Sequence, residues 1–236
     1  MKKISIIIPV YNEEKTITKI LDVLIKINLG LKKELIIVDD GSKDNSKKNI
    51  ENYIKKHKKI SNIVFRFLSK KNGGKGSAIK EGFSLVTGDI ITIQDADLEY
   101  NPQDYKKLIR PILEGKEKVV YGSRFLRKHK PRYRIYFLGN KFLTFLTKML
   151  YNARITDMET CYKVFRKDII KNISIKANKF DIEPEITAKV LKLGIKIKEI
   201  PIDYNPRSIE EGKKINWKDG LIAIWTLIYW KFKKLN

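Results

Sequence analysis

Along its first half the chain alternates short β-branched runs with longer segments whose apolar residues recur every three or four positions. The runs are Ile4–Val10, Glu34–Asp39, Asn62–Ser69, Asp89–Asp95 and Lys118–Ser123, and the spacing predicts helices over 13–27, 43–58, 75–86 and 103–114. "SIIIPV" and "LIIVDD" are continuously apolar rather than alternating, as expected of strands covered on both faces. This βαβα order predicts an α/β domain with a mostly parallel central sheet and helices on both faces. In such sheets ligands bind beyond the carboxyl ends of the strands. Those ends carry Pro9-Val10-Tyr11-Asn12-Glu13, Asp39-Asp40-Gly41-Ser42, Lys71-Asn72-Gly73-Gly74-Lys75-Gly76 and Asp95-Ala96-Asp97, enough polar and glycine-rich chain for one crevice holding a charged ligand.

In the second half, Leu138, Phe142, Phe145, Leu146 and Met149 recur at helical spacing. They come after "RFLRKHKPRYR", whose six cations are Arg124, Arg127, Lys128, Lys130, Arg132 and Arg134. Two readings stand for this helix: a face turned to the core, or a surface against anionic lipid. The C-terminal "NWKDGLIAIWTLIYWKFKKLN" repeats the theme, with Trp217, Trp225, Tyr229 and Trp230 beside Lys231, Lys233 and Lys234. Its apolar stretch, Leu221 to Trp230, falls short of the roughly 20 residues that span a bilayer. Membrane contact is the expectation there, against a terminal helix docked on the domain. The opening "MKKISIIIPVYNEE" reads as a strand rather than a signal peptide, because the apolar run is short, contains Pro9 and meets acids.

Composition narrows the partners. Fifty Lys and Arg against 27 Asp and Glu leave a charge of +23, which favours an anionic partner: nucleic acid, a membrane surface or a phosphorylated small molecule. Much of this charge is lysine and accounts for a solvated surface; only local clusters discriminate. One cysteine, Cys161, and two histidines exclude an internal disulfide framework and make a Cys/His zinc site implausible, which suits a reducing, cytoplasmic setting. With 236 residues, 42% of them hydrophobic, and no linker or repeat, one folded unit is expected.

The chemistry concentrates after the fourth run. Asp95 and Asp97, with Glu99 two residues on, place carboxylates where a hard divalent cation can sit between them and a diphosphate. Asp-x-Asp alone equally marks a turn or a helix N-cap. "NGGKGSAIKEGF" has the glycines, lysine and subsequent helix of a phosphate-binding turn, but matches neither the Walker nor the dinucleotide fingerprint.

In chain order, PVYNEE, VDDGSKDNS, NGGKGSA, DADLEYNP and YGSRF resemble the family 2 glycosyltransferases of GT-A fold, in the branch of dolichol-phosphate mannose synthases and bacterial polyprenyl-phosphate glycosyltransferases. The resemblance covers 4–126 closely and extends through "FDIEPEITAKVLKLGIKIKEIPIDYNPR" to about 207. It implies a GT-A catalytic domain over 1–210, divided into a nucleotide-sugar half (1–122) and an acceptor half (123–210), with an amphipathic membrane-associating segment (211–236) after it. It further implies that Pro9, Tyr11, Glu13, Asp39, Asp40, Lys75, Asp95 and Ala96 bind the nucleotide-sugar. Asp97 would be the main ligand of Mg²⁺ or Mn²⁺, supported by Asp95 and by Glu99, which stands where the mannose synthases often have Gln.

An inverting transfer of hexose to a lipid is the implied reaction, with a UDP-sugar expected as donor and GDP-mannose the alternative. For a polyprenyl phosphate acceptor, Arg124, Arg127, Arg132 and Arg134 would bind the phosphate. For diacylglycerol a base is needed, and Asp157 or Glu159 are the candidates. Membrane helices that often come after this domain in relatives are missing from the sequence, which raises the diacylglycerol option or a separate anchoring subunit. Glu183 and Glu185 around Pro184 read as a helix start, and Arg207 with Lys213 or Lys214 is available to a donor phosphate. A non-catalytic basic membrane- or RNA-binding protein is the alternative of another class; of the two partners, lipid is expected rather than nucleic acid.

Overall fold

The computed structural model describes residues 2–127, 132–207 and 217–235. Strands β1 (Lys3–Val10), β2 (Lys32–Asp39), β3 (Ile63–Ser69) and β4 (Ile90–Ile93) alternate with helices α1 (Ile17–Lys26), α2 (Ser46–His57) and α3 (Lys75–Leu85). Beyond them lie α4 (Tyr105–Leu113), β5 (Val119–Ser123), α5 (Arg134–Tyr151), β6 (Lys163–Arg166), α6 (Lys167–Lys171), α7 (Ile182–Lys192), β7 (Ile197–Pro201) and α8 (Trp217–Phe232). Strands β1, β2 and β4 are buried almost throughout, in keeping with their uninterrupted apolar runs.

The seven strands run in the order β3-β2-β1-β4-β6-β5-β7. All neighbours are parallel except β6, which is antiparallel to both β4 and β5. Neither β6 nor β7 is evident from the apolar pattern, because both are short and β6 carries Lys163 and Arg166. The chain winds outward from β1 through β2 to β3, then returns to β4 on the other side of β1. That reversal splays the connections at the carboxyl ends of β1 and β4 and opens a crevice there.

Helix α5 overturns the core-facing reading of its apolar stripe. Leu143, Thr144 and Thr147 are the buried residues; of the stripe, Leu138, Phe142, Phe145 and Met149 are exposed, and only Leu146 is half-buried, against a second, smaller core. α8 docks on α5 and α7 through Ala223, Leu227 and Trp230, which share this smaller core with Leu143, Ile155, Met158 and Ala188. Its other face leaves Trp217, Leu221, Ile222, Trp225, Tyr229 and Phe232 exposed. No helix among the described residues is long and apolar enough to cross a membrane. The boundary expected at 210 lies outside the described residues.

Candidate active site

A crevice of roughly 610 Å³ opens at the carboxyl ends of β1 and β4. Pro9, Tyr11, Glu13, Asp40, Lys75, Asp95, Ala96, Asp97, Glu99, Arg124 and Glu159 all line it, so segments from both halves of the chain converge on one site. Asp39 is buried and is not among the described residues lining it; its carboxylate accepts hydrogen bonds from the Ser42 amide at 3.2 Å and the Ser69 hydroxyl at 2.9 Å.

Local backbone chemistry sets the walls. The Asp40 carboxylate accepts from the amides of Gly73 and Gly74, the latter at 2.7 Å, and pairs with Lys70 at 2.8 Å. Gly74 adopts φ +94°, and a Cβ there would lie 2.5 Å from the Asn178 carbonyl oxygen, so glycine alone fits this turn. Gln94 comes directly after β4: its amide bonds the Ile7 carbonyl at 2.8 Å, and its side-chain oxygen accepts from Tyr105 and Tyr162 at 3.0 and 2.7 Å.

Leu98 between the acids has φ +62°, a costly left-handed conformation for a leucine, and the Asp97 carboxylate accepts from the Glu99 amide at 3.1 Å. The cap of the next helical turn is Asn101, which accepts from Gln103, so neither aspartate is spent as an N-cap.

The acids have distinct environments. Asp95 meets Lys75 at 2.9 Å, and Lys75 also lies 3.2 Å from Glu183, which pairs in turn with the buried Lys163. Although burial opposes it, Lys75 holds the Asp95 carboxyl below the ordinary range. Burial together with Asp95 and Glu99 drives Asp97 up to about 7. Glu99 accepts from the Tyr204 hydroxyl and the Arg207 amide, both at 2.8 Å. The Arg207 guanidinium lies between Glu13 at 3.1 Å, Asp97 at 3.1 Å and Glu99 at 3.7 Å.

Arg124 and Asp157 form a buried bidentate pair with both bonds at 2.7 Å, and the Arg124 amide adds a third at 2.9 Å. Asp157 is therefore fully committed, which argues against its use as a base. Glu159 differs: one carboxylate oxygen is buried without a hydrogen-bond partner, and burial, with a further contribution from the neighbouring Glu183, raises its carboxyl to about 7. Glu183 and Glu185 do stand in the first turn of α7, as their spacing suggested, and Glu183 also lines the crevice.

Of the basic segment, Arg127 pairs with Asp203 and Arg132 donates to the Pro206 carbonyl at 3.1 Å. Arg134 begins α5. None of these three is among the described residues lining the crevice, whereas Arg124 is. Lys128, Lys130, Lys213 and Lys214 lie outside the described residues. Tyr136, Asn140, Tyr204 and Asp219 also line the site and escape sequence reasoning. Tyr136 and Asn140 stand four residues apart and so share one face of α5, but spacing alone does not show that this face meets the crevice.

Among the described residues no three acidic, histidine or cysteine side chains close a metal cage by themselves. A Mg²⁺-type site requires only one or two carboxylates, the remaining positions being water and substrate phosphate. Asp97 and Glu99 fit that role, since their crowding already draws in a cation, the Arg207 guanidinium.

An open α/β sheet of this strand order, with an acidic strand-end loop facing a glycine-rich turn, has the GT-A fold of its structural neighbours. The chain belongs to glycosyl transferase family 2, which matches residues 5–174, and is a glycosyltransferase. It is 32% identical over 215 residues to an uncharacterized protein of Methanocaldococcus jannaschii, covering 86% of this chain and 89% of that protein. It is 29% identical to a dolichyl-phosphate beta-glucosyltransferase of Trichomonas vaginalis over 86% of this chain, and spans 65% of that enzyme's length. In fold it resembles the Mycobacterium tuberculosis glucosyl-3-phosphoglycerate synthase crystallised with UDP, with a TM-score of 0.75 at 18% identity over 98% of this chain and 80% of that one. That synthase has also been crystallised with Mn²⁺, UDP and phosphoglyceric acid.

Proposed function

We propose that this glycosyltransferase moves a hexose from a UDP-sugar, with inversion, to a polyprenyl phosphate at the cytoplasmic face of a membrane, in a Mg²⁺- or Mn²⁺-dependent reaction. One observation carries the lipid acceptor. Tyr136 and Asn140 of α5 and Asp219 of α8 line the crevice, and the outer faces of these same helices bear the exposed apolar residues. Of the fifteen exposed large hydrophobic side chains among the described residues, five lie on α5 and six on α8. A face so concentrated is the mark of an interaction surface. Arg134, Lys141, Lys148, Lys218 and Lys231 on these helices suit anionic headgroups. An acceptor held in that surface thus meets the donor without leaving the bilayer.

Within the crevice, Pro9, Tyr11 and Asp40 would wall the nucleoside, and Lys75 and Asp95 would face the diphosphate and sugar. Asp97 with Glu99 would hold the divalent ion, while Asp95 stays paired with Lys75; the ion when bound supplies Lewis-acid stabilisation of the negative charge on the departing nucleoside diphosphate. Arg124, with its Nε and Nη2 held by Asp157, would offer its remaining guanidinium N–H groups to the acceptor phosphate. A phosphate oxygen is already nucleophilic, so no base is required, and the chain's task is orientation.

A second acceptor is favoured by Glu159. Its unpartnered oxygen and its carboxyl at about 7 suit a base that takes the proton of an alcohol such as diacylglycerol.

The test is incubation of the protein and Mn²⁺ with UDP-hexoses and GDP-mannose, using vesicles that carry either polyprenyl phosphate or diacylglycerol, with mass spectrometry of the lipids as the readout. A hexosyl polyprenyl phosphate supports the proposal and a hexosyl diacylglycerol the second reading. Glycolipid formed equally well in EDTA overturns the metal assignment, and no lipid product from any donor overturns the lipid acceptor.

A further inference from the structure

Two arginines line the crevice, and their geometry differs in a way that separates their roles. Arg124 meets one carboxylate edge-on, with both bonds at 2.7 Å, within the range of a well-formed charge-assisted pair. Arg207 is spread over three carboxylates: one Nη donates to both oxygens of Glu13 at 3.1 and 3.2 Å, the other donates to Asp97 at 3.1 Å, and the buried Nε lies 3.7 Å from Glu99 with no hydrogen-bond acceptor. No carboxylate meets it edge-on as Asp157 meets Arg124.

The backbone below Arg207 is firmly tied. Its amide bonds a Glu99 side-chain oxygen at 2.8 Å, the Asn205 amide bonds the Glu99 carbonyl at 2.9 Å, and the Tyr204 hydroxyl bonds the other Glu99 side-chain oxygen at 2.8 Å. A pinned backbone therefore carries a loosely fitted guanidinium. That guanidinium bonds Asp97, the carboxylate assigned as main metal ligand.

We infer that Arg207 is a positioning residue serving as a resident counter-cation: it neutralises the Glu13–Asp97–Glu99 cluster in the donor-free enzyme and is exchanged for the divalent metal when metal and nucleotide enter. The inference rests on the reading of Asp97 and Glu99 as the metal site. A guanidinium and a divalent ion cannot share those oxygens without strong repulsion, so binding one displaces the other. Rotation of the side chain suffices, since the backbone anchors need not break. The diphosphate arriving with the metal is the anion within reach of the displaced guanidinium. Lys75 does not enter the exchange, because its partners are Asp95 and Glu183.

The experiment measures Mn²⁺ binding by electron paramagnetic resonance, with and without UDP, for the full-length wild type, Arg207→Gln and Arg207→Lys. Without UDP, Arg207→Gln is expected to bind Mn²⁺ about tenfold more tightly than wild type, as removal of a competitor requires. Arg207→Lys, which keeps a cation, gains less, and with UDP present the gain of Arg207→Gln is lost or reversed. An arginine of merely structural importance would instead lower the melting temperature and weaken Mn²⁺ in both conditions, which overturns the inference.

A second measurement does not depend on a variant's folding. In ¹⁵N-labelled wild type, an arginine Nε–H signal broadened by neither solvent exchange nor disorder in the free protein should shift on titration with diamagnetic Mg²⁺ and UDP, and Arg207→Lys identifies it. No shift overturns the exchange. If wild type binds no metal with or without UDP, the metal reading fails and the inference with it. If wild type binds Mn²⁺ while Arg207→Gln binds it with equal affinity, only the exchange falls.

Discussion

Replacing Asp97 by asparagine should make the metal-free protein more stable while abolishing transfer. The reason is the crowding of charge: burial, Asp95 and Glu99 raise the Asp97 carboxyl from 3.8 to about 7. A carboxyl raised in the folded state is penalised as pH climbs. Below its unfolded value the group is neutral in both states and nothing is lost; between about pH 4 and 7 the unfolded chain releases a proton that the folded chain retains, so stability declines.

By pH 7 a displacement of about three units amounts to about 4 kcal/mol. Asparagine removes that penalty, in which the opposing attraction of Arg207 at 3.1 Å is already contained. Arg207 retains Glu13 and Glu99. The gain of at most about 4 kcal/mol corresponds to a rise of up to about 8–16 °C in melting temperature for a chain of this size. Differential scanning fluorimetry in EDTA at pH 7 and pH 4 measures it. The variant should exceed wild type at pH 7 and lose the advantage at pH 4, and Mn²⁺ with UDP should stabilise wild type only. An Asp97→Asn protein that melts below wild type at pH 7, or whose advantage does not shrink in acid, would refute the account of the acid cluster.

The same contacts set three more expectations. Glu34 is buried, and hydrogen bonds from Ser5, Thr87 and Arg66 overcome the opposing effect of burial to leave its carboxyl at about 2. This depressed value stabilises the fold by about 3 kcal/mol above the unfolded carboxyl range, an advantage lost as pH falls from about 4.5 towards 2. Glu34→Gln should therefore lie well below wild type in urea unfolding at pH 7 and converge with it in acid; parallel curves would contradict this. Arg124→Ala leaves the buried Asp157 without its charge partner and should cost about 3 kcal/mol in denaturant unfolding; a loss under 1 kcal/mol would show the pair to be dispensable to folding. Phe145→Glu combined with Trp225→Glu should weaken cosedimentation with anionic vesicles roughly a hundredfold, from about 3 kcal/mol of lost apolar burial, with UDP affinity unchanged. Unaltered vesicle binding would remove the membrane-facing role of α5 and α8.

The sequence by itself determined the local part of this protein. Continuous apolar runs mark β1, β2 and β4, and the residues just past each run must stand at the ligand-binding edge of a parallel sheet; hence Tyr11, Asp40, Lys75, Asp95 and Asp97 could be named and do meet in one crevice. Five ordered motifs also sufficed for the family. Only the tertiary structure decided which charges pair. Arg207 reaches Asp97 across 110 positions and Arg124 reaches Asp157 across 33, separations over which no periodicity carries information. The antiparallel insertion of β6 between β4 and β5 is likewise a long-range choice, made by a strand too short and polar to announce itself. The direction of the α5 stripe was undecidable for a different reason: core and lipid attract the same side chains, so spacing revealed an apolar face, and only packing against α7 and α8 showed that it points outward.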